Sequence, residues 1–202
     1  MSVSSDSLDK LLAAESTLAE LGPRPYHLPL GPLAPIVQGA FEGSSRSDWI
    51  SCGPRARIGA VLRGCSVERL VDARAGARPY RILPSSDAPG QRALHAVGLA
   101  MARKERVLCI LSDASVANGA FHEALNVAAS SGAPVTFLVA LHPHTAQAPF
   151  AVQLSANPAR LAEAFGVSAI EVEGSATGIA GAVAKARESD GASLIVTTVP
   201  RS

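Results

Sequence analysis

The sequence predicts an α/β fold, an open and mostly parallel sheet with helices on both faces. Three observations carry that expectation. From about residue 89 onward, segments of helical periodicity alternate with short apolar runs. The runs "RVLCIL", "PVTFLVAL" and "ASLIVTTV" are continuous rather than alternating, as strands buried on both faces must be. The 202 residues are 48% hydrophobic but only 4% aromatic. A core of Ala, Val, Leu and Ile follows, with side chains small enough to seat helices closely on a sheet.

Taken in order, residues 6–21 read as an amphipathic helix with Leu8, Leu11, Leu12, Leu18 and Leu21 on one side and Ser5, Asp6 or Ser7 as its cap. Gly22 and Pro23 stop it. The proline-rich "GPRPYHLPLGPLAP" reads as an extended linker and "IVQGAFE" as a short helix. Residues 1–44, helix and linker, are expected to pack on an α/β domain formed by 45–202, with no second domain boundary, internal repeat or low-complexity tract. "RARIGAVLRGCSVERLVDARAG" has helical periodicity broken at Gly64, which predicts two short helices. Next come a helix through "QRALHAVGLAMARK", the strand "RVLCIL", a helix through "NGAFHEALNVAASS" and the strand "PVTFLVAL". The helix "NPARLAEAFG", the strand "SAIEVEG", the helix "TGIAGAVAKARES" and the strand "ASLIVTTV" complete the alternation.

A formal net charge of +1 gives no long-range field for nucleic acid or an anionic membrane. Arginines cluster locally at Arg55, Arg57 and Arg63, then at Arg69, Arg74, Arg78 and Arg81, and read mostly as a solvated helical face. Three cysteines are too few for a disulfide framework, and Cys109, inside an apolar run, reads as a small buried hydrophobe. The N-terminus lacks the apolar core of a secretory signal, and no stretch approaches the ~20 apolar residues of a membrane helix. A soluble, cytoplasmic protein is expected. "GSATGIAG" at 174–181 opens a helix after a strand, but it has neither dinucleotide spacing nor a following Gly-Lys-Ser/Thr.

In a parallel sheet, ligands bind at the carboxyl ends of strands. Asp113 follows the strand 106–111 and His142 follows the strand 134–141, so both belong to that edge. A carboxylate there suits a hard cation, and the small residues Ala114, Ser115, Ala117 and Gly119 allow backbone N–H groups to approach phosphate oxygens. The other reading makes Asp113 only an N-cap for a helix starting near Val116 or Ala117. Phe121, Leu125 and Val127 read as core. His122 and Glu123 read as surface or interface groups, and His95 as a satisfied helix histidine.

The segment "SDASVANGAFHEALNVAASSGAPVTFLVALHPH" resembles the thiamine-diphosphate signature, Gly-Asp-Gly followed further on by paired asparagines. It is most similar to the alpha subunit of the decarboxylating component of 2-oxoacid dehydrogenases, particularly the branched-chain type. "DWISCGPRARIGAVLRGCSVERL", "GQRALHAVGLAMA" and "NPARLAEAFGVSAIEVEGSATGIAGAVAKA" extend the likeness over nearly the whole chain. It implies the diphosphate-module form of the thiamine-diphosphate fold, with Asp113 as ligand of Mg²⁺ and Ala114, Ser115 and Arg55 (or Arg57) facing the diphosphate. The family's asparagine ligand falls on His142, and its backbone-carbonyl ligand on His144. The motif is thus degenerate. Ser112-Asp113-Ala114 stands for Gly-Asp-Gly, and imidazole suits Zn²⁺, Cu²⁺ or Ni²⁺ better than Mg²⁺.

Three states of the site therefore stay open: thiamine diphosphate with Mg²⁺, an exchanged metal on Asp113, His142 and His144, or no ligand at all. In the family the activating glutamate comes from a partner module, so this chain alone cannot complete the reaction. The resemblance implies either a non-catalytic pseudoenzyme acting through dimerisation or a protein partner, or a subunit active only with a beta-like pyrimidine-module subunit. A homodimer is expected through the helix "FHEALNVAASSG", where Ala124, Ala128, Ala129 and Ser130 would allow close approach.

Overall fold

The computed structural model describes residues 3–21, 29–71, 77–85, 88–142 and 154–200. Its sheet has five strands: β1 (Trp49–Ser51), β2 (Val107–Ser112), β3 (Val135–Leu141), β4 (Ser168–Glu171) and β5 (Ser193–Thr198). They lie in the order β1-β2-β3-β5-β4 and every pairing is parallel. All five carboxyl ends therefore emerge on one edge.

Alternation of side chains along the central strands creates two cores. Ile50, Leu108, Ile110, Leu138 and Ile195 face one way, toward α1 (Ser5–Leu21), α2 (Ala34–Gly43) and α7 (Ala176–Ala186). Val107, Cys109, Val135, Phe137 and Leu194 face the other, toward α3 (Pro89–Arg103), α5 (Gly119–Ser131) and α6 (Pro158–Ala164). A four-residue α4 (Asp113–Val116) follows β2 directly. On the second face, Phe121 of α5 meets Phe137 of β3 edge to face, with centroids 5.7 Å apart and both rings fully buried. Such a pair adds about 0.5–1.5 kcal/mol beyond its area burial.

Local chemistry sets the boundaries. Asn118, Asn157 and Ser175 cap α5, α6 and α7 by accepting backbone N–H groups of the first turn. Gly132 ends α5 in the left-handed region at φ +62°, where a side chain would be strained. On the first face, α2 lies almost backbone to backbone against α7. A Cβ on Gly39 would fall 2.4 Å from the Ala176 carbonyl oxygen, and one on Gly43 2.6 Å from that of Ala180.

The structure departs from the sequence expectations in four places. The linker is shorter than expected, since Gly31–Leu33 form a 3-10 turn and Ala34 and Pro35 already belong to α2. A proline in the first turn costs a helix nothing, because that N–H has no intrahelical acceptor. The two short helices about Gly64 are 3-10 segments, Ala56–Arg63 and Glu68–Leu70. The strand β1 has no counterpart among the expected elements, being three residues too short to show a period.

The arginines are the fourth departure. Arg57 and Arg63 are buried at 2% and 6% exposure, and Arg55 is half-buried. Arg63 donates to the carbonyl oxygens of Asp48, Ser45 and Tyr80 and to Ser44 Oγ, and stacks over Phe41. Four acceptors and a ring face replace the water that a solvated helical face would have offered. No helix among the described residues is long and apolar enough to cross a membrane.

A candidate site at the carboxyl edge of the sheet

Strand register places the two residues of this site side by side. Ser112 at the end of β2 pairs with Ala140 of β3, so Asp113 and His142 leave neighbouring strands side by side. Oδ1 of Asp113 lies 3.6 Å from Nδ1 of His142, a contact longer than a hydrogen bond. Asp113 is buried at 6% exposure, and His142 is half-buried. Burial pushes the Asp113 carboxyl up, but His142 beside it and the backbone N–H groups of Ala114 and Asp113 outweigh that and hold it below its ordinary value. A carboxylate facing Nδ1 favours the proton on that nitrogen and leaves Nε2 as the acceptor.

Asp113 does not cap the long helix. It is the first residue of α4, whose N-cap position is Ser112, while the cap of α5 is Asn118. The chain turns twice here because α4 ends at Ala117 before Asn118 starts α5 afresh. His122 ties the two helices through Nε2 and the carbonyl oxygen of Val116, 2.9 Å apart. Ala114 is exposed and Ser115 fully buried, its hydroxyl without a hydrogen-bond partner. Arg55 sits just past β1 on the same edge, its Nε also buried without a partner. His144 lies outside the described residues.

The rest of the neighbourhood is apolar or internally matched. Phe121 and Leu125 are core, as expected, and Val127 is partly buried. His95 and Glu123 are exposed on their helices. Sequence reasoning missed Arg92 of α3, which is 7% exposed with its guanidinium 3.4 Å from where a Gly53 Cβ would stand. An arginine in the first turn, beside the alanines of the helix's buried face, was the available signal. Cys52, just past β1, is enclosed, and burial raises its thiol to about 11 against the lowering pull of Arg92, Arg57 and Arg63. Cys109 is pushed up to about 12, again by burial. Neither thiol is poised as a nucleophile.

The donor set decides what the edge can hold. Mg²⁺ takes near-octahedral oxygen ligands. The residues brought together are one carboxylate and one imidazole, and no group of three His, Cys, Asp or Glu gathers among the described residues. These side chains do not fit Mg²⁺. Among the described residues, the Arg55 Nε and the Ser115 hydroxyl are buried polar groups of this edge without a hydrogen-bond partner.

Comparison with known proteins gives a consistent picture. No protein-family model matches the chain. A curated relative, the pyruvate dehydrogenase E1 component subunit alpha of Acholeplasma laidlawii, is 32% identical over a 168-residue alignment that covers 73% of this chain and 48% of that protein. The chain thus spans about half the length of that relative. Among solved structures, transketolase from Campylobacter jejuni matches with a TM-score of 0.71 at 19% identity, covering 96% of this chain and 36% of that one. Transketolase from Leishmania mexicana gives 0.68 at 17% identity, over 96% and 35%. A candidate thiamin diphosphate-dependent enzyme from Mycobacterium smegmatis gives 0.59 at 18%, over 82% and 31%. At these identities the structural likeness shows the fold, the one expected from the sequence.

Proposed function

Because the chain belongs to the alpha-subunit-like family of the thiamine-diphosphate-dependent 2-oxoacid dehydrogenases, we propose that it serves as a diphosphate-module-like protein acting by association, without metal-cofactor chemistry of its own. The observation that supports this is the Asp113–His142 contact at the edge where the family implies Mg²⁺. An imidazole nitrogen beside the carboxylate is a poor second ligand for that oxygen-preferring cation. Association would be with a second copy or with a beta-like pyrimidine-module subunit. Calorimetric titration of thiamine diphosphate with Mg²⁺ into the purified chain tests the reading. No saturable heat is expected, and micromolar binding would overturn it.

A second reading is favoured by two of the unpartnered polar atoms, the Arg55 Nε and the Ser115 hydroxyl, since donors awaiting an anionic ligand look like this. On that reading the chain is one subunit of a thiamine-diphosphate-dependent enzyme. It would decarboxylate a 2-oxoacid or transfer a two-carbon unit once a pyrimidine-module subunit supplies the activating carboxylate. Thiamine diphosphate, when bound, would supply the carbanion-stabilising chemistry. Arg55 would hold its diphosphate, and Ala114 would limit how closely the backbone approaches. Reconstitution with such a subunit separates the readings, since 2-oxoacid turnover by the pair supports the second and its absence with cofactor present removes it.

A further inference from the structure

Asp113 and His142 leave adjacent strands already engaged with each other. The carboxylate faces Nδ1 at 3.6 Å. With 6% of the residue exposed, little of it remains open to solvent. A cation arriving at the carboxylate would have to displace the ring. It would then gain one acidic side chain, with nitrogen as the second side-chain donor. We propose that His142 is the specificity-determining residue of this edge, occupying the place beside Asp113 that a hard divalent cation would take and so closing the edge to it. This rests on the reading of the edge as descended from a cation-dependent cofactor site.

The chemistry makes the exclusion reversible. The amide oxygen of asparagine extends about as far from the backbone as Nδ1 of histidine, so His142→Asn exchanges a nitrogen donor for an oxygen with little change of shape. His142→Asp places a second carboxylate there, and two buried carboxylates at such a distance repel unless a cation lies between them. Mn²⁺ is a suitable probe, because it shares the oxygen preference of Mg²⁺ and its free form is read directly by electron paramagnetic resonance.

The experiment uses the full chain and its folded variants, with Mn²⁺ alone, followed by resonance and by thermal unfolding. The wild type is expected to leave the free Mn²⁺ signal unchanged. His142→Asp is expected to bind one equivalent, and at Mn²⁺ about tenfold above its Kd the Tm should rise by roughly 3–6 °C. His142→Asn should move the same way by less, and adding Asp113→Asn should abolish both responses. If His142→Asp does not fold, His142→Asn decides. Binding of Mn²⁺ by the wild type as tightly as by the variants overturns the proposal, as does silence of the folded variants. Silent variants would leave the association reading intact. That reading falls on its own measurement, cofactor uptake by the wild type in calorimetry.

Discussion

Asp113 carries a charge that its neighbours keep in place although burial opposes it. Its folded carboxyl titrates below the ordinary value of 3.8, so the stability it contributes is fully present above that value. It is lost as the pH falls through the lower, folded value. Urea unfolding between pH 7 and pH 3 should show an acid-side loss of stability that is shallower in Asp113→Asn, because the amide has no proton to take up. An equal acid slope in both proteins would mean that other carboxylates dominate. The position of Asp113 and His142 was legible in the sequence, because a residue following an apolar strand in a parallel sheet has only one edge to occupy. Their mutual contact was not, since it depends on the register between β2 and β3 and on the His142 side-chain rotamer. The buried arginines were less legible still. Charge in a short helical segment ordinarily faces water, and the acceptors that enclose Arg63 come from residues 44–48 and from Tyr80.

At the level of elements, the contact between α2 and α7 rests on missing side chains. Gly39 and Gly43 lie one helical turn apart, and each meets a carbonyl of α7 where its Cβ would be. Gly39→Ala and Gly43→Ala should each destabilise the fold by about 1–3 kcal/mol, despite the better helix propensity of alanine. Equilibrium denaturation measures this. A gain in stability would show that α2 can shift outward at no cost. The long helices and β2, β3 and β5 were readable because each has a full period or a full apolar run. The strand β4 was readable from its flanking helices, although its exposed residues Ser168 and Glu171 mark it as an edge strand. The strand β1 and the 3-10 segments escaped because three residues, or a threefold turn, leave no signature that tells them from a loop. The spacing of Gly39 and Gly43 was visible, but nothing in the sequence said which helix would fill the groove.

For the whole molecule, the expected homodimer must be built on less of α5 than its alanines suggest. Ala124 and Ala128 are fully buried against the chain's own sheet, so Glu123, Asn126 and Ser130 are what that helix offers to a second copy. Light scattering at high micromolar concentration should nevertheless report twice the mass of the chain, and a monomer would remove self-association from the proposed function. The pairing of α2 with α7 has a consequence of another kind. The buried Asp48 meets Arg187 at 2.8 Å across 139 residues of chain, beside the same helix contact. The helix α2 cannot meet α7 until that stretch has been made, which at the usual pace of synthesis takes on the order of ten to thirty seconds. Through that interval α2 can pack on α1 and, through Phe41, on the Ala56–Arg63 segment, but the side that carries Gly39 and Gly43 has no partner. The groove that Gly39 and Gly43 open is therefore filled late, after β1, β2 and β3 have all been made.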